Sequence, residues 1–348
     1  MQMDDKGGTA LEGPPPAVVV LDTVFSYVTA ALLNAMVRLG VPDAMGEGAM
    51  EVPALAAACG AHAGSLKRAL RVMEMKGFVR RDGEGRYSLT EAGLLLRSDV
   101  PGSLNKMVRW ACDPFHFEAH SAVYEGLVDG SIPFDGKYGE PFFEWLPRPE
   151  NADEAHVFNE AMTAMSQMAG PAVLEAYDFS RFRSVTDIGG GHGSLLCGIL
   201  EANPELQGVV AEMEPVAAEA SKAIAASSVK DRCTARASNF FESVPAGSDC
   251  YMMKHIIHDW DDEPALKILR NVRAVLPQDG TLLVIDAVLD DGAQQNFAKQ
   301  LDIEMMVLVG GKERTESEFR ELLRDAGFAL KRVVATKSPV SIVEAAPA

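Results

Sequence analysis

Val185-Thr186-Asp187-Ile188-Gly189-Gly190-Gly191-His192-Gly193 is a β-rich run that enters a glycine cluster, and 194–201 after it carries the apolar spacing of a helix. A strand that turns into a helix through glycines gathers backbone amides at the helix N-terminus and lets a ligand come close. A dinucleotide turn needs G-x-G-x-x-G, yet counting from Gly189 the sixth position is Ser194. The chain offers G-x-G-x-G instead, with Asp187 two residues before the first glycine. A carboxylate there repels pyrophosphate and suits a cationic ligand. About 20 residues on, at the end of the next expected strand, Glu212 is placed to accept both hydroxyls of a ribose.

Working outward, strands are expected at 184–188, 208–213, 250–256 and 281–288, separated by helical patterns, with a final pair at 331–336 and 340–344. Such alternation predicts an α/β fold over 181–348: a doubly wound, Rossmann-like, mostly parallel sheet with helices on both faces. Upstream, 101–180 reads as a helical linker and pocket region with a loop near 129–141. The segment 17–100 is mainly helical. One amphipathic helix is expected over 17–39, then a short helix over 52–59 stopped by Gly60, then a helix from about 65 with Ser65 as its N-cap. A hairpin follows, 78–81 and 86–89 around Asp82-Gly83-Glu84-Gly85, and the whole is a winged-helix pattern. Residues 1–16, ending Gly13-Pro14-Pro15-Pro16, read as a flexible tail.

Composition narrows the function. The 348 residues are 47% hydrophobic and 24% charged, so a full core is available and bulk disorder is excluded. A formal charge of −18 opposes nucleic acid as a partner. The five cysteines show no C-x-x-C and no histidine clustering, so neither a disulfide framework nor a zinc site is expected. Asp22, Asn34 and Arg38 interrupt the most apolar early stretch, which argues against a membrane span. A cytoplasmic location is the expectation.

Lys254-His255-Ile256-Ile257-His258-Asp259-Trp260-Asp261-Asp262 follows the strand expected across the sheet's switch point, where ligands bind beyond carboxyl ends. His258 falls just past that end, and an imidazole there suits proton abstraction near neutral pH. His255, three residues earlier and within the expected strand, reads as structural.

With these blocks and Gly310-Gly311-Lys312-Glu313-Arg314-Thr315 in order, the chain from about residue 17 resembles a known family. It is similar to the S-adenosylmethionine-dependent small-molecule O-methyltransferases of bacterial secondary metabolism, which carry an N-terminal winged-helix dimerisation domain. The resemblance implies a class I methyltransferase domain, a homodimer, S-adenosylmethionine as cofactor with S-adenosylhomocysteine as product, and no metal. It implies that His258 is the general base and that Asp286 and Glu313 orient it, Asp286 being one methylene shorter than the usual Glu. Around the cofactor it implies Asp187, Gly189, Gly191 and Glu212, with Asn239 accepting from the adenine amine, Phe240 packed on the adenine, and Lys254 at the edge. It places Asn159 and Met162 at the acceptor, and beside it Asp302, Met305 and Met306, which share a helix face with Val309. Trp110, His116, Phe117 and His120 either line an entrance or belong to the core.

The apolar and aromatic wall residues favour a phenolic or polyketide-like hydroxyl acceptor. Two alternatives stand beside this reading. N-methylation of a heteroaromatic compound needs no base. A winged-helix regulator would use Lys67, Arg68, Arg71 and Lys76 on its second helix, against the −18 charge.

Overall fold

The structure is a computed structural model that describes residues 14–290, 292 and 296–348, in two compact units that divide the chain between Asp113 and Pro114. Of the tail expected over 1–16, residues 1–13 lie outside the described residues. Pro16 already opens the first helix, where its missing N–H costs nothing.

In the first unit the single helix expected over 17–39 is two, Pro16–Val24 and Ser26–Arg38, bent by 42° around Phe25. Among the described residues no single helix is long and apolar enough to cross a membrane. Helix Val52–Cys59 ends at Gly60, which takes a left-handed φ of +64°. The next helix, Ala63–Met75, corrects the expected cap. His62 caps it through Nδ1, which accepts the Ser65 N–H, and Ser65 lies inside the first turn. Leu66, Leu70 and Met73, at helical spacing, are buried with Leu55, Val79, Tyr87 and Leu89. Strands β1 (Val79–Arg81) and β2 (Tyr87–Leu89) pair antiparallel as the wing.

The second unit is built on one seven-stranded sheet. Its strands are β3 (Ser184–Ile188), β4 (Gln207–Glu212), β5 (Cys233–Ala237), β6 (Cys250–Lys254) and β7 (Thr281–Asp286), followed by two short strands outside it, β8 (Val288–Leu289) and β9 (Arg314–Thr315). The last two sheet strands are β10 (Phe328–Ala335) and β11 (Ser341–Pro347). The order is β10-β11-β7-β6-β3-β4-β5, with β7 through β5 parallel and β11 antiparallel to both neighbours. Strand alternation sets the two faces. Met252, Leu283 and Ile285 pack with helices Ala152–Ala176 and Ser194–Ala202, whereas Tyr251, Met253, Leu282 and Val284 pack with Asp262–Val275 and Glu316–Asp325. The switch point falls between β3 and β6, so their carboxyl ends open one crevice.

Four differences from the sequence reading have physical causes. Strand β5 was not expected: at the sheet edge only Cys233 is buried, so no apolar run marks it. The strand expected over 281–288 breaks after Asp286, and β8 leaves the main sheet to pair with β9. The strand expected over 250–256 ends at Lys254, leaving His255 outside it. The loop expected at 129–141 contains helix Pro133–Tyr138, started by proline at its first position.

The helix Pro16–Val24 buries none of its residues, and Val20, Leu21, Val24, Phe25 and Tyr27 are each more than half exposed. A row of large apolar side chains in water is unfavourable unless a partner covers it. The expected homodimer supplies a test. Joint substitution Val20→Asp and Phe25→Asp is expected to shift the protein from dimer to monomer in light scattering, with the far-ultraviolet circular dichroism nearly unchanged.

Candidate active site

The glycine turn joins β3 to helix Ser194–Ala202. Gly189, Gly191 and Gly193 all take left-handed φ values, +66°, +57° and +81°. At Gly189 a Cβ would also fall 2.3 Å from Ile256 Cδ1, so a larger residue would push the two crevice walls apart. Beneath the turn, Asp187 is buried, and its Oδ1 has no partner among the described residues. Burial raises its carboxyl to about 7, against the pull of Lys254. At the end of β4, Glu212 accepts the Gly191 N–H at 3.0 Å and the Met213 N–H at 2.9 Å. Its burial raises the carboxyl, and each oxygen keeps lone-pair capacity for further donors.

Past β5, Asn239 is used internally: Oδ1 accepts the Phe241 N–H at 3.0 Å, and Nδ2 donates to Glu242. The Phe240 ring edge lies 3.9 Å from the place of a Cβ on Gly189, within the turn's reach. Lys254 closes β6. Burial lowers its ammonium, against the attraction of Asp187, Asp286 and Asp259. Asp187, Gly189, Gly191, Glu212, Phe240 and Lys254 thus gather at the carboxyl ends of β3, β4, β5 and β6. The orphaned Asp187 oxygen and the Glu212 carboxylate are acceptors that fit an ammonium and ribose hydroxyls, the polar groups of S-adenosylmethionine.

Across the switch point, His258 sits in the short 3-10 turn Ile257–Asp259 and is only 6% exposed. Its Nδ1 is 2.6 Å from Glu313 Oε1, and its Nε2 is 3.5 Å from Asp259 Oδ1. Burial alone would lower this imidazole. The carboxylates of Asp259, Asp286 and Glu313 outweigh burial and lift it to about 9. Asp286, fully buried, spends Oδ1 on the His255 N–H at 2.8 Å, and no bond to His258 is seen among the described residues. One nitrogen each of His255 and His258 and one Asp286 oxygen still lie within 4.8 Å of one another. His255 has φ +55°, a left-handed conformation unusual outside glycine, and its ring is 4.8 Å from that of His258. Burial keeps its imidazole well below the usual range, with Lys254 and His258 adding to this.

The block Gly310–Thr315 crosses directly over this turn. A Cβ on Gly311 would fall 2.0 Å from the His258 carbonyl oxygen, so only glycine fits. The Lys312 N–H donates to that same carbonyl at 2.9 Å. Arg314, 1% exposed, donates to the carbonyls of Ile257 and Trp260 and to Asp262 Oδ1. Asp302 accepts the Glu313 N–H at 2.9 Å, so it stands behind the His258–Glu313 pair. Of the other expected wall residues, Met305 is buried, Met162 and Met306 are half-buried and Asn159 is exposed. Sequence reasoning gave no role to Asp259, Gly311 or Arg314, although all three lie in blocks it singled out. It also left His116 and His120 open; they hold Glu304 between them at 2.7 and 3.2 Å.

Comparison with known proteins agrees with this architecture. The family model for the O-methyltransferase domain matches residues 117–329, and that for the O-methyltransferase dimerisation domain matches 21–99. A phenazine O-methyltransferase of Lysobacter antibioticus is 37% identical, over 96% of this chain and 97% of its own. The O-demethylpuromycin O-methyltransferase of Streptomyces alboniger is 36% identical, over 94% and 88%. A solved O-methyltransferase from neocarzinostatin biosynthesis, with S-adenosylmethionine and 2-hydroxy-5-methyl naphthoic acid bound, aligns at a TM-score of 0.78 with 30% identity, covering 97% of this chain and 100% of that one.

The crossing is testable without the reaction. Arg314→Lys keeps a charge but cannot span two carbonyls and a carboxylate. It is expected to lower the free energy of unfolding by ~1–3 kcal/mol in urea, the cost of charge-assisted hydrogen bonds left unmade.

Proposed function

Because the chain belongs to the O-methyltransferase family that couples a methyltransferase domain to a dimerisation domain, we propose that it methylates a hydroxyl of a small aromatic metabolite, phenolic or polyketide-like, with His258 as general base. S-adenosylmethionine is the cofactor, and it supplies a methyl group already activated on a sulfonium. The observation that carries the reading is the His258–Glu313 pair, 2.6 Å apart, at the switch point beside the glycine turn.

In this mechanism Glu313 holds the Nδ1–H of His258, which leaves Nε2 to take the acceptor's hydroxyl proton as the oxygen attacks. Glu313 then stabilises the imidazolium, and Asp302 fixes Glu313 through its backbone. Asp286 acts through the His255 amide rather than by contact with the base. Glu212 receives the ribose hydroxyls, Asp187 faces the cationic amino-acid portion, and Lys254 balances the buried carboxylates. Phe240 packs on the adenine. Asn239, committed to its own turn, offers the adenine amine little beyond its second lone pair. Met162, Met305, Met306 and Asn159 form the acceptor wall. Holding oxygen and methyl in near-attack geometry is worth roughly 7–11 kcal/mol, more than the roughly 10²–10⁴-fold from the base. The active species is a homodimer paired through the N-terminal unit.

Two variants separate binding from chemistry. His258→Ala is expected to lose about 10²–10⁴-fold in kcat on an unactivated phenol while still binding S-adenosylmethionine in calorimetry. Glu212→Ala is expected to weaken that binding roughly 10–100-fold. Full turnover by His258→Ala would overturn the base and move the reading to a heteroaromatic nitrogen acceptor.

A further inference from the structure

Building on the reading of His258 as the base, we infer that binding of the cationic cofactor weakens the hold of the His258 cluster on its proton, so that near neutral pH the neutral base is far more populated when a methyl donor is present.

The geometry supplies the reason. In the free protein both ring nitrogens of His258 face carboxylates, Glu313 at Nδ1 and Asp259 at Nε2. A carboxylate can only accept, so this arrangement favours a proton on each nitrogen. The groups around the ring come from every side: Asp259 and His255 from its own turn, Asp286 from the end of β7, Glu313 from the crossing block with Asp302 behind it, and Lys254 from β6. Arg314 contributes little free charge, because Asp262 pairs with it. His255 is half-buried and its imidazole is held well below the usual range, which leaves Lys254 and His258 as the cations facing Asp259, Asp286 and Glu313, whose carboxyls burial pushes up, that of Asp259 to about 7. An imidazolium with both protons in place cannot take a third. The free enzyme is therefore unarmed at neutral pH.

A displacement on the methyl group puts sulfonium, methyl and acceptor oxygen in line, with the base one hydrogen bond beyond. A unit positive charge at that range lowers the proton affinity of an imidazole by roughly ten- to a hundredfold. The proton leaves Nε2 for solvent, and the sulfonium takes over the compensation of the carboxylates. Linkage makes the effect reciprocal. Affinity for S-adenosylmethionine should rise with pH through about 9, where His258 is half neutral, and level off above. S-adenosylhomocysteine, whose sulfide is uncharged, lacks this driving force.

Calorimetric titration of the full-length protein in buffers of different ionisation enthalpy counts the protons. At about pH 7.5, S-adenosylmethionine is expected to release roughly 0.2–0.7 proton per subunit and S-adenosylhomocysteine far less. Equal counts for the two ligands would overturn the inference. His258→Asn is expected to bind S-adenosylmethionine without the release, and an undiminished release would assign the proton elsewhere and overturn it too. Glu313→Gln, which removes the negative charge at Nδ1 but keeps the ring, is expected to reduce the count while the fold, checked by thermal melting, persists. Retained phenol turnover in His258→Asn would instead overturn the base reading alone, so the two failures are distinguishable.

Discussion

Everything at the candidate site depends on one crossing, in which Gly310–Thr315 passes over the turn that carries His258. Gly311 permits the approach because a Cβ would collide with the His258 carbonyl, and the Lys312 amide then bonds to that carbonyl. These contacts bring Glu313 to the imidazole, and Arg314 ties the turn down at Ile257, Trp260 and Asp262. Two loops from distant parts of the chain thereby act as one rigid piece. A histidine on a free 3-10 turn would sample many orientations; here the backbone is bonded before the side chain is considered.

The same closeness concentrates charge. Asp187, Asp259, Asp286 and Glu313 are all pushed upward, first by burial, and His258 is lifted by its acidic neighbours. A group raised in the folded state favours folding below its ordinary pKa and loses that contribution as pH rises through the folded one. For His258 the window runs from about 6.5 to about 9. The contribution of His258 to folding thus falls as pH increases. Lys254 supplies part of the compensation for these carboxylates, and burial weakens its own charge.

Much of this was legible in the sequence because glycine has few substitutes. The run Asp187 to Gly193 and the pair Gly310-Gly311 announce backbone that must turn left-handed or pass close to other backbone, and the structure has both features there. Strands buried on both faces, such as Cys250–Lys254 and Thr281–Asp286, declared themselves by unbroken apolar runs. What stayed hidden depends on partners far away in the chain. Strand β5 has one buried side chain, and the His62 cap competes with a nearby serine that is equally able on paper. Asn239 looked available for a ligand, but its turn had already engaged its oxygen. The contact between Asp286 and the His255 amide required knowing that β6 ends one residue before His255 and that this residue takes a positive φ.

Helix Phe297–Leu308 carries Met305 and Met306, proposed for the acceptor wall, and also Asp302, which reaches the loop of the proposed base. Asp302 on one side bonds the Glu313 backbone, whereas Glu304, two residues on and so facing a different direction, is held by His116 and His120. Burial opposes the Glu304 charge, yet the two histidines hold its carboxyl down at about 2. The helix is thus fixed from two sides by charged contacts, with Met305 buried between them and Met306 half-buried. A residue on such a helix cannot shift without moving Asp302, and Asp302 cannot move without disturbing Glu313. Under the proposed function, acceptor choice and base geometry are therefore mechanically coupled, so substitutions on this helix that change specificity should carry a cost in turnover even where they never touch His258.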